Sequence, residues 1–387
     1  MSAKSETRIH RLQAILKEKS LQGYLCATCS DLVWLLDAAA QIPYQHSSCI
    51  WLEKLGGERG DISYQNFPEA MLWIPAEGEA HLFALPHLVK RYSGFGTEVT
   101  SAYFDRFAYH LREFTEDGTI AVGQACHDAL HYILNLAGHF TAADGSHLCD
   151  ELRCIKDAEE IAALRYNAEM CDLAMKQILP LLQPGKCCAD IENALAEFGL
   201  THGAFDQSFS NTVIAQPYGQ KRLGKFDPFP KQTVIAFDHG FLFEGYSGDF
   251  GRSFMIGKAP QRLRDAYTAL KNAHEYLMKT VRPGVNVNEI NRIIRKGAEG
   301  YGIDEWIGPA EDQLMGHQIG IDCHEYPWLT NHFDHLILPD MVFAVEPRIN
   351  IPDQFYLRME DVLLMTAAGL EPLTKFTKEL IELSDAF

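Results

Sequence analysis

The chain has no apolar run near the roughly 18 residues that a membrane helix needs. Its opening stretch, MSAKSETRIHRLQAILKEKS, lacks the uncharged apolar block of a signal peptide. That stretch reads instead as an amphipathic helix, with Ile9, Leu12, Ile15 and Leu16 at helical spacing. No membrane partner and a cytoplasmic location are the expectations. Basic residues are few: 34 Lys and Arg stand against 52 Asp and Glu, a formal charge of −18. Such a surface repels phosphate backbones and excludes nucleic acid as a partner. The ten cysteines are scattered, and no second pair stands at zinc-finger distance from Cys26-Ala-Thr-Cys29. They are read as reduced structural thiols, the adjacent Cys187 and Cys188 included.

What is present is enough for a large core: 387 residues, 47% of them hydrophobic. Residues 1–156 read as an α/β domain. GYLCATCSDLVWLL, AMLWIPAEGEAHLFALP and TIAVGQA are its strand regions, separated by turn signals. A helix then opens at Asp157, with Ile161, Leu164, Ala168, Cys171 and Met175 on one face. It begins a second domain, 157–387. This domain carries an internal repeat. QPGKCCADIENALAEFG and RPGVNVNEINRIIRKGAEGYG each follow a helix, break it with Pro-Gly, and open another helix. Two similar halves with a site between them are expected.

After each copy come strands that carry acids. TVIAFD ends in Asp238, and EGYSGD leads to Asp249 before the apolar RSFMI. MVFAVE ends in Glu346, and FYLRMEDVLLM reads as one strand with Glu360 at its middle. An acid in an apolar strand is costly to bury unless it is paired or holds a cation. Between the two sets lies GHQIGIDCHEYP, with His317 flanked by a glycine and His324 seven residues later. Four carboxylates and an imidazole suit two divalent ions that share bridging carboxylates. Manganese, cobalt, zinc and iron all fit, and manganese is favoured.

These segments resemble the pita-bread metallopeptidases: methionine aminopeptidase, aminopeptidase P, prolidase and the metal-free relative creatinase. The resemblance covers about residues 155–387 and rests on AFDHGFLFEGYSGDFGRSF, GHQIGIDCHEYP, FAVEPRINIP and LRMEDVLLMT. It implies an α+β chain, with a creatinase-like α/β domain ahead of a pita-bread domain of two pseudo-twofold related halves. It implies five metal positions: Asp238, Asp249, His317, Glu346 and Glu360. Glu346 would also shuttle the proton, and His324 would hydrogen-bond the substrate carbonyl. Arg358, two residues before Glu360, would orient the carboxylates. A first domain of this size points to the aminopeptidase P, prolidase and creatinase branch. It also implies a homodimer, in which Trp34, Tyr44 or Trp51 would line the partner's site.

The chain departs from that family at one place. The family has a further catalytic histidine upstream of the first metal aspartate, but Gly203 through Asp238 contains none. The position falls near Lys221 in PYGQKRLGK, so Tyr218, Gln220, Lys221 or Arg222 takes it, or His202 folds in from upstream. A lysine or arginine there is a fixed charge suited to a substrate carboxylate rather than to proton exchange. Trp328, His332 and His335 lie further along and would shape a small pocket or pack a loop. Three functions follow. One is a dimetal hydrolase of Xaa-Pro peptides. Another is a dimetal enzyme on a non-peptide small molecule, either a hydrolase of a cyclic amidine or amide such as a compatible solute, or a sulfoniopropionate lyase. The third is a binding module without catalysis, which would have no physical reason to keep five costly buried donors.

Overall fold

The computed structural model describes residues 1–42, 68–300 except 96, 116, 124, 126 and 139, and 314–383. Tyr44 and Trp51 lie outside the described residues. The chain divides into two compact units, Met1–Arg153 and Cys154–Phe387. Among the described residues, no helix is long and apolar enough to cross a membrane.

The first unit is built on a six-stranded mixed sheet. Across it run Val99–Ser101, His81–Ala84, Ala70–Pro75, Gly23–Ala27, Gly118–Val122 and Phe140–Asp144. The central strand Gly23–Ala27 is buried throughout, which fits its unbroken apolar sequence. The opening helix, Ala3–Glu18, is capped by the Ser2 hydroxyl, which accepts from Ser5 N at 3.0 Å. It buries Ile9, Leu12 and Leu16 and leaves Ile15 half-buried. Trp34 belongs to this core, 2% exposed, with the Arg8 guanidinium 4.4 Å from its ring centroid. Cys26, Cys29, Cys149, Cys154, Cys171, Cys188 and Cys323 are buried and form no disulfide among the described residues. Cys187 likewise forms none but is only half-buried.

The second unit opens on the helix Ala158–Ile178. Asp157 accepts from the backbone of Glu159 and Glu160, and the Glu160 carboxylate bonds back to Asp157 N at 2.9 Å. Leu164, Ala168, Cys171 and Met175 are buried on its inner face. The element order then repeats. The helices Ala158–Ile178 and Cys188–Thr201 lead to the strands Thr212–Pro217, Thr233–Asp238 and Ser253–Ile256. The helices Gln261–Thr280 and Ile290–Gly297 lead to Gly316–Gln318, Val342–Val345 and Asp361–Thr366. Each set of three forms the heart of its own sheet, and each sheet lies in its own apolar cluster. Ile381–Leu383 returns to the first half and pairs parallel with Ser253–Ile256. A separate antiparallel ribbon, Arg348–Ile351 with Phe355–Arg358, lies between the strand before Glu346 and the strand after Glu360.

FYLRMEDVLLM is therefore not one strand. It splits into Phe355–Arg358 and Asp361–Thr366, and Glu360 sits at the break, bridged to Gly251 of the first half. Unbroken apolar periodicity cannot reveal a point where a strand leaves one partner for another.

Candidate metal centre

Each acid stands where a strand stops or changes partner. Asp238 ends Thr233–Asp238, and Glu346 follows Val342–Val345 by one residue. Asp249 lies between the strand Tyr246–Ser247 and the bridge from Phe250 to His239. Glu360 lies at the break just described. His317 is central in Gly316–Gln318, a strand pressed against Val342–Val345. A side chain at Gly316 would put its Cβ 2.0 Å from Ala344 O, at a φ of +146° that L residues rarely adopt. The glycine beside His317 is there so that the histidine strand can approach its neighbour this closely.

Asp249, His317 and Glu360 are all buried, and one potential ligand atom from each lies within 4.8 Å of the others. His317 Nε2 is 3.5 Å from Asp249 Oδ2. Its other ring nitrogen, Nδ1, bonds Gln318 O at 2.9 Å. A carbonyl can only accept, so Nδ1 carries the proton and Nε2 presents its lone pair to the acids. Both Glu360 carboxylate oxygens and Asp249 Oδ1 are buried without a hydrogen-bond partner. Leaving such groups unsatisfied is expensive unless a cation meets them. The electrostatics agree. Burial, and then Glu360 and Glu346, push the Asp249 carboxyl well up. Burial, and then Glu360, push Glu346 up to about 7, against the pull of Arg348. Carboxylates crowded and desolvated this way resist being charged together. This donor set fits a divalent cation.

Arg358 binds the acids together. It is buried, forms ion pairs with Asp238 and Glu346, and lies 3.3 Å from Glu360 Oε2. Arg348 reaches the same Glu346 oxygen, Oε2, at 2.9 Å. Cys323, absent from the sequence reading of the site, donates its thiol to Asp249 Oδ2 at 3.2 Å. His324 is half-buried. Its ring centroid is 4.2 Å from that of His317, and it stacks on Trp328 at 5.4 Å. Trp328 thus packs against both histidines. His332 is exposed, and His335 packs its ring against Tyr326.

A buried pair anchors the His324 loop. Lys156 Nζ donates to Glu325 Oε2 at 2.9 Å and to Gln318 Oε1 at 3.1 Å. Its charge joins the residue after His324 to the residue after His317.

The candidates of the loop without histidine have different surroundings. Tyr218 stacks on Phe355 with centroids 6.0 Å apart and joins the second-half core. Lys221 is exposed and has no ion pair among the described residues. His202 does not fold into the gap: it stacks on Phe198 and bonds the Phe198 carbonyl at 2.8 Å. His239, next to Asp238, is buried against Phe241 and Phe250, and burial lowers its pKa to about 4. The group that reaches from this loop toward the site is Arg222, which lies over the Tyr356 ring at 4.9 Å.

With this arrangement described, comparison with known proteins is direct. Residues 162–367 match metallopeptidase family M24, and the chain belongs to that family. It is 29% identical over 239 residues to the uncharacterized peptidase YqhT of Bacillus subtilis, an alignment spanning 60% of this chain and 65% of the relative. It is 27% identical over 239 residues to an Xaa-Pro dipeptidase of Pyrococcus horikoshii, again spanning 60% of this chain and 65% of the relative. The match thus spans a little under two thirds of these relatives' length. In structure it is similar to a recombinant prolidase from Thermococcus sibiricus, with a TM-score of 0.83 and 24% identity over 99% of this chain and 100% of that one. The fold is a creatinase-like α/β unit followed by a pita-bread unit.

Proposed function

We propose that the chain is a metal-dependent hydrolase of short peptides at Xaa-Pro bonds, with Asp238, Asp249, His317, Glu346 and Glu360 holding two divalent ions. The observation that carries this reading is the buried Asp249, His317 and Glu360 cluster, with neither oxygen of Glu360 hydrogen-bonded. The likeness to Xaa-Pro dipeptidases supports the substrate class. Such ions supply Lewis acidity that lowers the pKa of water and polarises a carbonyl, and manganese is favoured for so oxygen-rich a set.

The side chains do the rest. His317 offers Nε2 because Gln318 O holds the proton on Nδ1. Arg358 fixes Asp238 and Glu346 against each other. Both arginines engage Oε2 of Glu346, which leaves Oε1 to take a proton from water and pass it to the leaving amine. His324, held flat on Trp328, donates to the carbonyl oxygen as it gains charge. The partners we infer are a short peptide and a second copy of this chain.

The test is to measure metal content and turnover on one manganese-loaded sample. The panel pairs Xaa-Pro dipeptides and tripeptides with cyclic amidines, amides and sulfonium acids. Cleavage of the peptides with about two ions bound is the expected outcome. A metal-loaded protein inert to every peptide but active on a small molecule would overturn the peptidase reading.

A further inference from the structure

The ribbon Arg348–Ile351 with Phe355–Arg358 pairs Arg348 with Arg358, Ile349 with Leu357, Asn350 with Tyr356, and Ile351 with Phe355. Strand side chains alternate between faces, so Arg348, Asn350, Tyr356 and Arg358 share one face. Ile349, Leu357 and Phe355 occupy the other and are buried in the core. The polar face begins inside the metal centre, where Arg358 and Arg348 both grip Glu346. It runs outward through Tyr356 to Asn350, which is exposed.

The loop that lacks a histidine is fastened to this ribbon. Gly219 N donates to Gln354 O at 3.0 Å, and Tyr218 stacks on Phe355. The loop thereby lays Arg222 across the outer end of the polar face. Arg222 donates to Asn350 Oδ1 at 3.1 Å and covers the Tyr356 ring. Burial raises the Tyr356 phenol to about 12, so it stays a hydrogen-bond donor. The Tyr356 ring thus lies under Arg222 on the ribbon face that also carries Arg348.

The charge along this strip does not cancel. Arg348 is 39% exposed and shares its acid with Arg358. Among the described residues, Arg222 meets only the Asn350 amide and the Tyr356 ring, and Lys221 beside it has no ion pair. In a chain of net charge −18, a cationic strip leading to an acid-lined centre is a local reversal of sign.

We propose that Arg348, Tyr356 and Arg222 form a subsite for a carboxylate on the leaving side of the substrate. For a dipeptide that group is the terminal carboxylate. A planar guanidinium matches a carboxylate in shape as well as charge. The inference rests on the peptidase reading for the identity of the scissile bond, and it assigns the missing histidine's loop a role in binding rather than in proton transfer.

The test compares Ala-Pro, its C-terminal amide, and the tripeptide amide Ala-Pro-Glu-NH2 on the manganese-loaded protein. Wild type and the Arg222→Met and Arg348→Met variants are assayed alike. Binding of proline and of prolinamide is measured separately by calorimetry. The acid should exceed the amide in kcat/KM by about 30-fold, within what a charge-assisted hydrogen bond supplies. Each variant should bring that ratio toward unity, and the same preference should appear and vanish in proline binding. A preference for Ala-Pro-Glu-NH2 over Ala-Pro-NH2 that the variants erase would support the strip with a side-chain carboxylate as the source. Turnover of all three substrates alike, or a preference that survives both substitutions, overturns the subsite alone. Carboxylate-dependent binding without any peptide turnover overturns the peptidase reading alone. Neither turnover nor carboxylate-dependent binding overturns both.

Discussion

Asp249 and His324 are both drawn into the centre, but they answer different demands. Asp249 is crowded by Glu360 and Glu346, and one of its oxygens is unpartnered. Replacing it with alanine removes a charge that a cation needs and leaves Cys323 without its acceptor. Asp249→Ala is expected to lose bound metal and nearly all activity. Elemental analysis of the purified variant checks this, and unchanged metal content would refute the two-ion assignment. His324 lies against His317 but stacks on Trp328 and is only half-buried. His324→Ala should keep its metal and lose about 10²- to 10³-fold in kcat, the usual cost of one donor to a developing oxyanion. Steady-state rates at matched metal content decide it. The two histidines were legible as unlike only through the family resemblance, which makes one a metal ligand and the other a contact to substrate. Arg348, Tyr356 and Cys323 were not legible. Their relevance comes from which face of a ribbon or loop meets the acids, and no local pattern in EPRIN or QFYLR encodes that neighbour.

At the scale of elements, the helices and most strands follow from local chemistry. The Asp157 cap, the apolar face of Ala158–Ile178 and the turn-bounded strands of both halves all lie where periodicity puts them. The break at Glu360 does not. It arises because Phe355–Arg358 must fold onto Arg348–Ile351 while Asp361–Thr366 joins the larger sheet. The buried Lys156 and Glu325 pair is another element-level device, since it holds the loop that carries His324. Lys156→Met strands the Glu325 carboxylate in the interior. The expected cost is about 3–5 kcal/mol of stability in the second unit, typical of breaking a buried pair from one side. Adding Glu325→Gln should recover part of it. Urea unfolding of wild type, single and double variants measures this, and additive losses would contradict the coupling.

At the scale of the molecule, two buried histidines add a dependence of stability on acid pH. Burial lowers His239 from 6.5 to about 4. Burial also lowers His274 from 6.5 to about 4, although Asp361 at 3.2 Å pulls the other way. Both are neutral when folded and protonated when unfolded between those values. The unfolded state therefore binds more protons in that window, and stability is full above about 6.5 and falls as pH drops toward about 4. Each histidine adds a slope of about 1.4 kcal/mol per pH unit inside the window. His274→Gln should flatten the dependence of stability on pH there, and an unchanged slope in chemical unfolding from pH 7 to pH 4.5 would refute it. Asp361 belongs to the same charge cluster. Burial would raise its carboxyl, but Arg252, His274 and Lys378 together hold it far below the ordinary range.

The return of Ile381–Leu383 to the strand Ser253–Ile256 bears on the order in which the protein is made. The same returning segment places the backbone N–H groups of Lys375 and Phe376 on Asp172, in the first helix of the second unit. The sheet that carries Asp238 thus lacks one edge until residue 383 has left the ribosome. The unit Met1–Arg153 has all its sheet strands much earlier and can fold during synthesis. The second unit closes this sheet only after residue 383 has emerged, so a nascent chain stalled before residue 372 carries every proposed ligand yet has an unclosed sheet.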